Sequence, residues 1–131
     1  MNRLILPFLS IGLAASLLAP LAGCSKSIEA PADRNVCFHA VLLSNGKMKF
    51  NKVSENSPNI ESCAASLEAM RLQFLRMGGR MQEIMGAYNG QYLFLQKEGV
   101  FTSSTLDGPR YVLLVRTGDG RLAKMGAMPQ Q

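Results

Sequence analysis

VCFHAVLLSNGKMKFNKVSE, residues 36–55, holds two runs rich in β-branched and aromatic residues on either side of Asn45-Gly46. Asn-Gly between such runs is the strongest short-range hairpin signal, because both residues accept the positive φ of a tight turn. A two-residue turn opposes Leu43 to Met48, Val41 to Phe50, His39 to Lys52 and Cys37 to Ser54, and directly opposed residues share a face. Cys37 then lies on the same side as Val41, Leu43, Met48 and Phe50.

The next stretch, SPNIESCAASLEAMRLQFLRMGG (57–79), changes period from two to 3.6. Ser57 or Asn59 can cap a helix, Pro58 suits its start, and Gly78-Gly79 ends it. At about 100° per residue, Ile60, Cys63, Ala64, Leu67, Met70, Phe74, Leu75 and Met77 fall within one arc, so Cys63 belongs to the buried stripe. Glu61 and Glu68 stand in the front half of the helix and Arg71 and Arg76 in the back half, a charge order that complements the helix dipole. Both glutamates read as solvent-facing. Arg71 does not conform, because it falls within about 20° of Ile60, inside the apolar arc. Either its stem lies on apolar surface with the head in water, or its guanidinium meets a buried carboxylate or an anionic ligand.

Hairpin register and helical period share no assumptions, yet both send a cysteine inward. A Cys37–Cys63 disulfide is therefore expected, contributing about 3 kcal/mol by restricting the unfolded chain.

RMQEIMGAYNGQYLFLQKEG (80–99) repeats the hairpin device around Asn89-Gly90, opposing Ala87 to Tyr92, Met85 to Phe94, Gly86 to Leu93 and Ile84 to Leu95. Both faces of this hairpin are apolar, so a second layer or a partner must cover its back. VFTSSTL, the turn Asp107-Gly108-Pro109 and YVLLVR supply two more strands. The expected fold is α+β: an antiparallel sheet of five or six strands with one helix packed across it, in the order β-β-α-β-β-β-β. The domain spans residues 36–117. Residues 24–35, polar and without period, read as a flexible tether, and 118–131 as a loose C-terminal tail or one short edge segment.

The chain opens MNRLILPFLSIGLAASLLAPLAGC: one cation at Arg3, an apolar core, then small residues, the plan of a secretory leader. Pro7, Ser10, Gly12, Ser16 and Pro20 dilute the stretch as a membrane span, and no cation follows until Lys26. Leu21-Ala22-Gly23-Cys24 resembles a bacterial lipobox. The resemblance implies that residues 1–23 are a signal peptide and that Cys24 becomes an acylated N-terminus carrying palmitate-type chains. Three such chains exceed what stable membrane attachment needs. Ser25, where Asp would retain a lipoprotein at the inner membrane, implies export to the outer membrane, periplasmic face. With Cys24 spent on lipid, Cys37 and Cys63 remain as an even pair in an oxidising compartment. Beyond the leader, the body resembles small lipoproteins of Gram-negative bacteria.

The 131 residues carry 14 Lys+Arg against 9 Asp+Glu, and losing the leader removes only Arg3 of these. A basic balance outside the cytoplasm points to anionic envelope surfaces, and without cations interleaved with aromatics, nucleic acid is not an expected partner. The single His makes a metal site or a metal cofactor unexpected. Cys37-x-His39 puts a thiol and an imidazole on one strand face, but a disulfide at Cys37 abolishes the nucleophile. Phosphate-binding glycine loops and the G-x-S-x-G elbow are missing. No catalytic constellation is visible, so the expected role is not enzymatic. Surface remains: Arg71, Arg110, Tyr111 and His39 are the candidate contacts for an envelope protein partner, with Arg71, Arg110 and Lys52 for an anionic envelope ligand. Ser104-x-x-Asp107-Gly108-x-Arg110-Tyr111 resembles a loop of the lipoprotein lysozyme inhibitors, which are small, anchored and disulfide-bearing. Those proteins are all-β, and the helix expected within residues 57–79 departs from that pattern.

Overall fold

The computed structural model describes residues 27–80 and 83–126. The leader, the lipobox with Cys24 and the final residues of the tail lie outside them. In chain order the elements are β1 (Cys37–Leu42), β2 (Met48–Ser54), α1 (Ile60–Arg76), β3 (Ile84–Tyr88), β4 (Gln91–Leu95), β5 (Gly99–Ser103), β6 (Tyr111–Arg116) and β7 (Leu122–Lys124). All strands join one antiparallel sheet in the order β2-β1-β3-β4-β5-β6-β7. The α+β reading holds, but the sheet has seven strands where five or six were expected. The additional strand comes from the segment read as a loose tail or one short edge segment, and it is an edge strand. A turn closed by Thr117 N–H donating to Arg121 O (2.9 Å) and Gly120 N–H to Thr117 O (3.0 Å) lays Leu122–Lys124 against β6. Three residues are too few to display a period of two.

The first hairpin forms with a different turn. Leu43 N–H donates to Lys47 O, Gly46 N–H donates back to Leu43 O, and Gly46 takes φ +80°, so three residues rather than two make the loop. Such a loop is a type I turn closed by a residue in the left-handed region. Asn45 accepts from Lys47 N–H through its side chain, which fixes it. The extra residue slips the register by one, pairing Leu42 with Met48, Val41 with Lys49, Ala40 with Phe50 and His39 with Asn51. An irregularity between Cys37 and Phe38 restores the expected pairing of Cys37 with Ser54. The second hairpin turns at Asn89 (φ 47°) and Gly90 (φ 78°) with the register expected of it, Ile84 to Leu95 through Ala87 to Tyr92.

α1 joins β2 to β3, which flank β1, and so crosses the sheet over β1. Asn59 is its cap, accepting from Ser62 N–H at 2.8 Å, and Gly78 (φ +87°) releases the chain at the other end. Beneath the helix lies the front core, built from Cys37, Cys63, Ala64, Leu67, Tyr88, Leu93, Leu95, Val100 and Leu114. Cys37 and Cys63 are joined in a disulfide with Cα atoms 5.3 Å apart, and both are fully buried. Tyr88 Oη donates to Ser57 O at 2.6 Å and holds the approach to the helix.

The back face carries Phe38, Ala87, Tyr92 and Phe94, with Phe50, Met85, Phe101 and Leu106 partly buried around them. Its cover is the chain ahead of β1, where a free tether was expected. Ala30 packs into the back cluster, Tyr92 Oη donates to Ile28 O (2.8 Å), and Gly90 N–H donates to Pro31 O (2.8 Å). The few apolar residues of this strap sit among polar ones without a period, which is why it reads as linker in the sequence.

Candidate functional site

Helix α1 is docked at one end and bare at the other. Cys63, Ala64 and Leu67 are completely buried, whereas Phe74, Leu75 and Met77 of the same expected stripe are exposed, Met77 to 73 %. Gly86 explains where the helix touches down, since a Cβ there would lie 2.2 Å from Leu67 Cδ1 and 2.9 Å from Phe38 O. Gly86 is two residues from the start of β3. From Leu67 to Met77 the helix advances about 15 Å, while the two residues of β3 ahead of Gly86 cover about 7 Å, so its last turns run past the start of β3.

Under that overhang lies a groove of about 270 Å³ lined by His39, Met70, Gln73, Phe74, Met77 and Ile84. It is apolar apart from His39 and Gln73. His39 reaches it because alternation along β1 puts Cys37, His39 and Val41 on the helix side. Burial pushes the imidazole below its ordinary value of 6.5, so it is neutral at neutral pH. With Cys37 oxidised, no thiolate stands beside it, and none of the groove residues is a carboxylate that would orient the ring. The groove is shaped to take an apolar side chain.

The other candidate contacts lie elsewhere. Arg71 Nη1 meets Glu68 Oε1 at 3.1 Å, and Arg116 from the end of β6 grips the same carboxylate with both terminal nitrogens, Nη2 lying 3.1 Å from Oε2. Arg116 also donates to Gln96 O from Nη2 (2.7 Å) and Nε (2.9 Å). Glu68, expected to face solvent, is buried. β6 reaches across to it from 48 residues away, which no local pattern records. Arg71 was the visible sign, since a cation inside an apolar arc needs an anion within one helical turn.

Arg110 stands on the back of the molecule, its guanidinium carbon 3.6 Å from the centroid of the Phe94 ring and Nη1 3.5 Å from Glu83 Oε2. Tyr111 is exposed at the start of β6. Lys52 pairs with Glu55 at 3.2 Å. The three cations proposed for an anionic ligand therefore each meet a different carboxylate of the chain, Glu68, Glu83 and Glu55. Sequence reasoning placed Met70, Phe74 and Met77 in the core and missed them as a surface. The readable signal is length, because the apolar arc outlasts the short strands available to cover it.

Among the described residues no group of three His, Cys, Asp or Glu side chains could hold a metal ion, and no helix is long and apolar enough to cross a membrane. No family model, curated protein or solved structure matches the chain.

Proposed function

We propose that this chain is a lipid-anchored, non-enzymatic protein of the cell envelope, held through Cys24 at the periplasmic face of the outer membrane, which binds a protein partner in the groove under the end of α1. One observation carries the partner site: large apolar side chains, Phe74 and Met77, stay exposed beside an apolar groove. Exposed apolar surface around a hollow is characteristic of interaction sites. The groove is on the helix side of the sheet, and the chain leading back toward Cys24 lies on the other, so an anchor leaves the groove open. The lipobox resemblance supports the anchor.

The test uses the tagged full-length chain, purified from envelopes solubilised in mild detergent. A partner protein recovered with the wild type is expected to be lost with Phe74→Ser/Met77→Ser and kept with Tyr111→Ser, which leaves the groove intact. Equal recovery by the groove variant, or recovery of lipopolysaccharide or peptidoglycan alone, refutes the partner site. Labelling with a radioactive fatty acid tests the anchor separately, with incorporation expected in the wild type and none in Cys24→Ala.

A further inference from the structure

We infer that the back face of the sheet is seated on the phospholipid bilayer, an inference that rests on Cys24 being the lipid anchor. The chain ahead of β1 is tied to that face in two places. Ile28 O accepts from Tyr92 Oη at 2.8 Å and Pro31 O accepts from Gly90 N–H at 2.8 Å, while Ala30 packs into the back cluster between them. Cys24 and Ile28 are four positions apart. A chain gains at most about 3.6 Å per residue, so the anchored residue lies within about 14 Å of the first tie.

A domain of about 100 residues has a radius of gyration of about 13 Å and is therefore about 30 Å across. A leash half that long cannot pass round the sheet, so the helix side, with α1 and the groove, stays turned away from the membrane. The seated face is suited to the interface. Alternation along β1 puts Leu42 on it together with Phe38 and Ala40, and Val112 pairs with Phe101 of the back cluster. Leu42 is 58 % exposed and Val112 42 %. In strand order β1 and β6 stand on either side of β4, where the strap is tied, so both flanks offer an aliphatic side chain. Such side chains gain by dipping into the boundary between headgroups and acyl chains. A partner then reaches the groove from the periplasm and not from within the same bilayer.

A photo-crosslinking amino acid, benzoylphenylalanine, tests this when it replaces Leu42, Val112 or Ala69 singly in the full-length chain; Ala69 is exposed on α1. Cells are grown with radioactive phosphate, which labels phospholipid headgroups but not the acyl chains and glycerol attached to Cys24. After irradiation of intact envelopes, a phospholipid adduct identified by its mass is expected at Leu42 and at Val112, and none at Ala69. Two exposed probe positions keep the outcome from hanging on one substitution. If the chain incorporates fatty acid yet gives phospholipid adducts equally from all three positions, from Ala69 alone or from none, the seating is overturned and the anchor stands. If it incorporates no fatty acid, anchor and seating fall together.

Discussion

Glu68 carries two guanidinium groups at once, and its side chain is only 7 % exposed. Taking such a carboxylate out of water is costly, and the cost is met only while both arginines stay in place. Replacement by the isosteric Glu68→Gln leaves Arg71 and Arg116 facing each other without an anion between them. It should lower stability by about 3–5 kcal/mol in urea unfolding, where an exposed glutamate would cost less than about 1 kcal/mol. A loss below about 1 kcal/mol would show that the pair is solvated rather than structural. Gly86 works by absence. With Leu67 Cδ1 at 2.2 Å and the carbonyl of Phe38 at 2.9 Å from where a Cβ would sit, Gly86→Ala must displace the Leu67 side chain and crowd the backbone of β1. Overpacking of this kind costs about 1–3 kcal/mol. The residual strain should also appear as faster hydrogen exchange in α1, and an unchanged exchange pattern with full stability would refute the close contact.

At the scale of elements, α1 is fastened at its start and free at its end. Asn59 caps it, Tyr88 holds the preceding Ser57, and the disulfide ties its first turn to β1. Replacing both cysteines, Cys37→Ala/Cys63→Ala, should remove about 3 kcal/mol, seen as a lower urea midpoint that dithiothreitol reproduces in the wild type. An unshifted midpoint would mean that the cross-link restricts the unfolded chain hardly at all. This bond was legible in the sequence because the inward direction of Cys37 and of Cys63 came from two independent periods, and a slip of hairpin register did not disturb it. The slip itself was not legible. Asn-Gly suits both a two-residue turn and the last two positions of a three-residue one, and the choice rests on the bond Asn45 accepts from Lys47 N–H. The strap over the back face and β7 escaped for a related reason: segments this short are ordered by the surface they land on, not by their own pattern. The groove was hidden because periodicity says which side of a helix is apolar, not how far the sheet beneath it extends.

For the whole molecule, pH provides a test in which the groove and the helix start report in separate windows. His39 is held neutral by burial, so its proton affinity in the fold is below that of the unfolded chain, whose value is the ordinary 6.5. Between the two values the unfolded chain binds more protons, and stability must therefore fall as pH drops through 6.5 toward the folded value, levelling off below it. Glu61 changes stability in the same direction, but lower on the pH scale and because its charged form is favoured rather than its neutral one. Its own backbone N–H holds the Glu61 carboxyl below the usual 4.5, with Lys124 assisting, so its contribution is complete above 4.5 and is lost as pH falls from there through the lower, folded value. Urea unfolding followed from pH 8 to pH 3 should show two descending limbs, one beginning near 6.5 and one beneath 4.5. His39→Gln should abolish the upper limb and leave the lower, while Glu61→Gln should leave the upper and shrink the lower, to which Asp119, held below its ordinary 3.8 chiefly by the Thr117 hydroxyl, also contributes. Because His39 is the protein's one histidine, nothing else in the fold has an ordinary side-chain value near 6.5. A flat profile between pH 7 and pH 5 in the wild type would mean that the imidazole is as well hydrated as in the unfolded chain, and that the groove is no dry hollow.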